Sequence, residues 1–278
     1  MSLAAAAIAV LDTPDPAEKA ALSRRQAEAW RSGRLHFSEP GSPPDRPARP
    51  ERPLLLAPKD MPKRKAGGSV AKRIAMLHAL AHIELNAIDL AWDLIARFGR
   101  PEMPRRFFDD WVSVADEEAL HFQLLSRRLD ELGAAYGDLP AHDGLWRAAM
   151  ETSCDLLARL AIVPLVLEAR GLDVTPTMIA DMERHGDDRT NAVLKRIYRD
   201  EIGHVATGMR WFEHFARAAG LATKDAWQAL VRKHFRGALK PPFNHEARTD
   251  ARMPADFYLP MAPTTPGLPA NAAPPRQR

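Results

Sequence analysis

Two short spacings in the chain could do chemistry: Glu118 followed by His121, and Glu201 followed by His204. Residues three apart on a helix share a face, so each pair can present one carboxylate and one imidazole to a common point. Glu84 and Glu168 precede the two pairs by 34 and 33 residues, a near-copy of one spacing by the other. Carboxylate oxygen and neutral imidazole nitrogen together suit first-row divalent metals, iron or manganese first and zinc as a further option.

All six residues fall on apolar stripes rather than opposite them. The stripe of the first stretch runs Leu77, Leu80, Ala81, Ile88, Ala91 and Ile95, with Glu84 inside it. The second, Trp111, Val114, Ala115, Phe122 and Leu125, contains Glu118 and His121. The third, Leu157, Leu160, Ala161, Leu165 and Leu172, contains Glu168, and the fourth, Leu194, Ile197, Val205, Gly208 and Phe212, contains Glu201 and His204. A core-facing carboxylate is costly unless something pairs with it. No lysine or arginine lies on these stripes, so buried ion pairs without metal are the weaker reading. Two divalent cations would neutralise four glutamates.

Four long helical stretches must position the six: about 69–98, 104–133, 142–171 and 187–219. Ser69 serves as N-cap of the first, and Gly99, Gly133, Gly171 and Gly220 as stops. Shorter helices are expected at 15–32, 175–184 and 223–236. Pro164, one turn before Glu168, should kink the third stretch. Long helices with short connections and no alternating strand pattern predict an all-α four-helix bundle over 69–220. It carries an N-terminal helix and proline-rich arm over 1–68 and a C-terminal helix and proline-rich tail over 221–278. Proline density forbids helix in 36–68, while Leu54, Leu55 and Leu56 suggest that part of this arm packs on the core. Phe243, Phe257 and Tyr258 suggest the same for the first part of the tail, and residues from about Thr264 read as disordered.

The order Glu, Glu-x-x-His, Glu, Glu-x-x-His resembles the ferritin-like diiron-carboxylate superfamily. The flanking segments RPARPERPLLLAPKDMPKR and PPFNHEARTDARMPADFYLP look like those of a ferritin-like family of unknown function. The resemblance implies a ferritin-like bundle with two metal ions, iron first and manganese or a mixed manganese–iron pair as alternatives. It implies that Glu118 or Glu201 bridges or chelates, that Glu84 and Glu168 are the lone carboxylates, and that His121 and His204 each bind one ion. It makes Asp200 a partner that orients a histidine across the bundle. In the second stretch the matching residue is Glu117, a departure from the pattern. Tyr198, three residues before Glu201, could approach the site; a packed aromatic with a hydrogen-bonded hydroxyl is the plainer reading. His78 and His82 match no ligand position and read as surface or outer-site residues.

The activity implied is that of an oxygen-activating oxidoreductase, a hydroxylase or oxidase, with a small-molecule substrate and an external electron donor. No dinucleotide fingerprint appears, so the electrons come from another protein. The alternatives are iron handling of a ferroxidase type, and a tRNA-modifying hydroxylase. Catalytic groups beyond the ligands are not identifiable from the sequence.

The net charge of +3 and pI of about 9.1 keep a polyanion partner in view, yet no nucleic-acid motif accompanies the basic residues of 24–65 and 224–240. The single cysteine, Cys154, excludes a disulfide framework and reads as a small buried residue in a helix. The N-terminal apolar run lacks a preceding basic residue, so no secretory signal is expected. Charges interrupt the apolar runs, so no membrane span is expected and a cytoplasmic location follows. The oligomeric state stays open, a dimer among the options.

Overall fold

The computed structural model describes residues 1–37, 39, 41–62 and 69–263. The expectation of disorder from Thr264, and the basic residues Lys63, Arg64 and Lys65, lie outside them. The fold is all-α. Helix α1 spans Leu3–Leu11 and α2 spans Pro16–Arg31. The long α3 runs Val70–Phe98 and α4 runs Arg105–Glu131. Then come α5 (Gly144–Glu151), α6 (Leu156–Ile162), a π-helical turn (Val163–Glu168), α7 (Ala169–Arg184) and α8 (Asp188–Ala218). The chain closes with α9 (Thr223–His234), α10 (His245–Asp250) and α11 (Ala255–Tyr258). Helix α3 packs chiefly on α4 and α7 on α8, and α8 joins the two pairs through α4.

Helix starts follow local chemistry. Ser69 caps α3, its hydroxyl accepting from Lys72 N–H, and Asp15 caps α2 by accepting from Glu18 N–H at 2.8 Å. Helix α1 is apolar all round, so it has no stripe for periodicity to detect. It is buried against α3. Helix α3 is itself long and apolar enough to cross a membrane by length and composition, although Glu84, Asp89 and Asp93 interrupt it. Two-thirds of that window (67%) is buried inside the fold, against α1 and α4, which accounts for its composition.

The third stretch departs most from the periodicity. It breaks at Thr152–Asp155, restarts with Asp155 capping α6, widens into the π-helical turn, and then continues through Gly171 and Pro176 to Arg184. Gly171 is therefore no stop, and the separate helix at 175–184 is the end of α7. Pro164 lacks an N–H and sits second in the π-helical turn, so the expected irregularity is a change of helical pitch. Cys154 falls in the break and is exposed, not buried in a helix.

The proline-rich arm packs down, but not through its leucines. Leu54 and Leu55 are exposed, and Leu55–Leu56 (β1) pairs in parallel with Ala141–His142 (β2). Polar contacts hold the arm: Arg49 lies 2.7 Å from Asp89, Arg97 donates to Pro44 O, and Trp146 donates to Asp45 O. At the other end, Arg248 of α10 pairs with Asp173 at 2.8 Å, and Phe257 and Tyr258 are buried.

His78 and His82 are buried, not at the surface. His78 Nε2 accepts from Gly137 N–H at 2.9 Å. His82 Nδ1 lies 2.8 Å from the Tyr136 hydroxyl and Nε2 lies 3.2 Å from His142 O. The carbonyl requires a proton on Nε2, so Nδ1 accepts from Tyr136. Burial first, then the charge of Arg49, depress the His82 pKa to about 4, in keeping with a neutral ring. Together the two histidines tie the 132–143 connection to α3.

Asp187 anchors the start of α8. It accepts from Thr190 and pairs with Arg73 of α3 at 2.7 Å and Arg128 of α4 at 3.0 Å. Burial pushes its carboxyl upward, but the Thr190 hydrogen bonds and the two arginines outweigh burial and hold the pKa at about 2. A depressed carboxylate pKa contributes stability that is present above the unfolded value and lost as pH falls through the folded one. Chemical denaturation between pH 4 and pH 2 should therefore show a loss of roughly 2 kcal/mol traceable to this group. Asp187→Asn should be less stable at pH 5 and flatter across that window; an unchanged slope would remove Asp187 from the account.

Candidate metal centre

Glu84 comes from α3, Glu118 and His121 from α4, Glu168 from the last position of the π-helical turn, and Glu201 and His204 from α8. Glu118 and His121 are fully buried, and Glu84, Glu201 and His204 nearly so. One ligand atom from each of Glu84, Glu118, His121 and Glu201 lies within 4.8 Å of the others, a buried group that could hold a metal ion. His204 adjoins it, with Nδ1 2.9 Å from Glu118 Oε1 and 3.6 Å from Glu201 Oε1. His121 Nδ1 lies 3.4 Å from Glu84 Oε2 and 3.5 Å from Glu118 Oε2. Glu168 stands outside the four-residue group, but its carboxyl is subject to the charges of Glu201 and Glu118. Glu118 thus lies between the two imidazoles.

The buried atoms facing this centre lack hydrogen bonds. Glu84 Oε2, both Glu118 oxygens, Glu168 Oε2, His121 Nδ1 and His204 Nδ1 are all buried without one. Unpaired buried polar atoms are rare and costly, and six of them at one place require an explanation. The outward nitrogens are satisfied. His121 Nε2 donates to Asp200 at 3.0 Å, and His204 Nε2 donates to Glu117 at 2.8 Å. Each histidine on one helix is therefore oriented by an acid from the other, leaving its Nδ1 turned inward. Such acid–imidazole contacts fix a ring for metal binding and raise its basicity. Glu117 fills on α4 the position that Asp200 fills on α8. Arg196 Nε in turn donates to Asp200 at 2.5 Å, a support that the motif spacing did not signal.

The rest of the core supplies a contrast. Among the described residues, every buried aspartate has a cationic side chain. Asp89 pairs with Lys19 at 2.6 Å and with Arg49, Asp93 with Arg97 and Arg159, Asp173 with Arg248, and Asp187 with Arg73 and Arg128. No described lysine or arginine ion-pairs with Glu84, Glu118, Glu168 or Glu201. The absence of cations from their stripes thus holds in three dimensions.

Electrostatics follow from that gap. Burial first, then the Glu118 charge, push the Glu84 carboxyl well above its ordinary range. Burial, then Glu201 and Glu118, do the same to Glu168, and burial with Glu118 raises Glu201. Glu118 goes the other way: burial opposes its ionisation, but His204, Glu84 and His121 together hold it well below. Burial also opposes charge on the imidazoles, yet the acids around His121 and His204 outweigh it and hold both well above the usual value. The mutual repulsion of these carboxylates favours positive charge at the centre, which protons or a cation can supply.

Residues 12–259 match the model of the family described as protein of unknown function (DUF455). The chain belongs to that family. An uncharacterized protein of Haemophilus influenzae is 43% identical over 213 residues, a match covering 75% of this chain and 72% of the relative. No solved structure gives a significant match. In this DUF455 member all six centre residues lie inside the matched segment.

Two other residues have roles that spacing alone did not assign. Tyr198 does not turn its hydroxyl to the centre; that oxygen accepts from Asn244 at 2.8 Å and fastens the C-terminal segment to α8. Gly208, one turn beyond His204, allows α8 to approach the π-helical turn. A Cβ there would lie 2.4 Å from Pro164 Cβ and 2.6 Å from Pro164 Cγ. The ring is fixed to the backbone and cannot swing aside. Alanine gains about 1 kcal/mol of helix propensity over glycine, but overpacking of this kind costs about 1–3 kcal/mol and moves backbone. Gly208→Ala should therefore lower the melting temperature and displace α8 from Glu168. A variant as stable as the parent would show that α8 and the turn have slack.

Proposed function

We propose that this protein binds two metal ions, iron first, through Glu84, Glu118, His121, Glu168, Glu201 and His204, in a ferritin-like arrangement, and uses them as an oxygen-activating oxidoreductase. The observation that carries the reading is the set of six buried atoms without hydrogen bonds, five from the buried Glu84, Glu118, His121 and His204 and one from the half-buried Glu168, residues that lack a lysine or arginine partner among the described residues. Four carboxylates and two neutral imidazoles offer charge for two divalent cations, and oxygen–nitrogen donors suit iron or manganese.

Bound metal would supply Lewis acidity and one-electron chemistry toward dioxygen. The chain's own part is orientation. Glu118, between the two imidazoles, would be held in common by ions at either histidine. Glu84 and Glu168 close the centre from α3 and the π-helical turn. Asp200 and Glu117 hold the proton on each Nε2 and so keep each Nδ1 free as a donor. Buried apolar side chains on the same helix stripes, Leu77, Leu165 and Val205 among them, would limit access of bulk water. The reading takes a small organic molecule as substrate and a separate protein as electron donor.

The test is metal content followed by oxygen reactivity. Protein made with iron supplied should carry about two ions per chain. Glu118→Ala and Glu201→Ala should each lose metal while keeping their helical circular dichroism. Reduced anaerobically and then exposed to oxygen, the parent should develop a transient absorption band. Metal-free protein would sink the proposal. Two ions inert to oxygen would retain the centre and sink the oxidoreductase, and oxygen consumption with iron accumulating in a shell-like oligomer would favour iron handling instead.

A further inference from the structure

A second feature is an open groove of about 590 Å³ between the start of α2 and α4. That volume is within the usual range for small-molecule sites. Its apolar wall is aromatic: the half-buried Tyr136 is backed by the buried Phe122, the two rings meeting edge-to-face with centroids 5.3 Å apart. The polar lining includes Ser126, Asp15, Arg127 and Asp130. Ser126 Oγ is buried without a hydrogen-bond partner, an orphaned group beside an open space. Asp15, Arg127 and Asp130 form no ion pair among the described residues; one Asp15 oxygen caps α2, so its other oxygen, the Asp130 carboxylate and the Arg127 guanidinium remain available at the mouth.

We propose that this groove binds a small aromatic amine, its ring against Tyr136, its ammonium at Asp130 and the free oxygen of Asp15, and a ring N–H or hydroxyl on Ser126 Oγ. The charge balance of the lining is net negative, which favours a cation. The aromatic wall adds attraction for a cation, through the negative faces of its rings, as well as for a flat ring. Arg127 stands free for a carboxylate if the ligand carries one. The site is separate from the glutamate–histidine centre and does not depend on metal there.

Tryptamine and indole-3-propionate share a ring system and differ in the sign of their charge, so they make the decisive pair of probes. Isothermal titration of the full chain in low salt should show tryptamine binding at least about tenfold tighter than indole-3-propionate. Ser126→Leu, which fills the groove, should abolish tryptamine binding. Asp130→Asn, a surface change that leaves packing intact, should weaken it by about tenfold and so gives a second reading if Ser126→Leu folds poorly. The proposal fails if neither probe binds, if both bind equally, or if Asp130→Asn leaves the tryptamine affinity unchanged. Loss of metal from the glutamate–histidine centre should not alter the result, so failure here and failure of the metal reading are distinguishable.

Discussion

A carboxylate taken out of water must be given positive charge, and most of this molecule can be understood through how it meets that requirement. Helix α3 alone carries Glu84, Asp89 and Asp93, all buried. Asp89 draws in Lys19 from α2 and Arg49 from the arm. Asp93 draws in Arg159 from α6 and Arg97 from its own helix. These pairs fasten segments that the apolar core would hold only loosely. The proline-rich arm, with exposed Leu54 and Leu55, is attached in this way. Glu84 receives no such partner, nor do the three glutamates that join it. The same physics that makes the aspartates into clamps leaves the glutamates, with their histidines, as a group that could hold a metal ion.

The clamps and the centre depend on each other for geometry. Breaking one partner from a buried pair leaves an uncompensated charge, so Asp89, Asp93 and Asp187 hold α3 in one position relative to α2, α4, α6 and α8. That position places Glu84 beside His121. On the other side, the π-helical turn ends at Glu168, and Gly208 lets α8 lie against Pro164. A proline that would only interrupt an isolated helix here sets the pitch just before a candidate ligand.

Particular residues show how far the sequence could be read. Glu84, Glu118, His121, Glu168, Glu201 and His204 announced themselves because acids on apolar stripes break the expected pattern. The first, second and fourth long helices, with the cap at Ser69, followed from periodicity and turn chemistry. Helix α1 was illegible because a helix apolar on all sides has no period. The break after Glu151 was hidden because Thr152–Asp155 continues a plausible helical pattern, and with it went the exposure of Cys154. Tyr198 was misplaced because spacing along a helix gives proximity to a turn and not the direction of a hydroxyl. His78 and His82 were taken as surface or outer-site residues because their partners, the backbone of Gly137 and the Tyr136 hydroxyl, lie in a connection with no periodic signal.

The sequence by itself determined which groups would be inside, since burial is written in the spacing of apolar residues and charges on one helix. It also determined that the buried glutamates lacked cations on their own faces. Only the tertiary structure decided which acid met which base. Arg159 with Asp93, Arg49 with Asp89, Asp200 with His121 and Glu117 with His204 are contacts between elements far apart in the chain. Local spacing cannot encode them, because they depend on the relative rotation and distance of packed helices. The same holds for the inward Nδ1 atoms. A histidine's place on a stripe puts the ring at the centre, but an acid on the facing helix fixes which nitrogen turns inward.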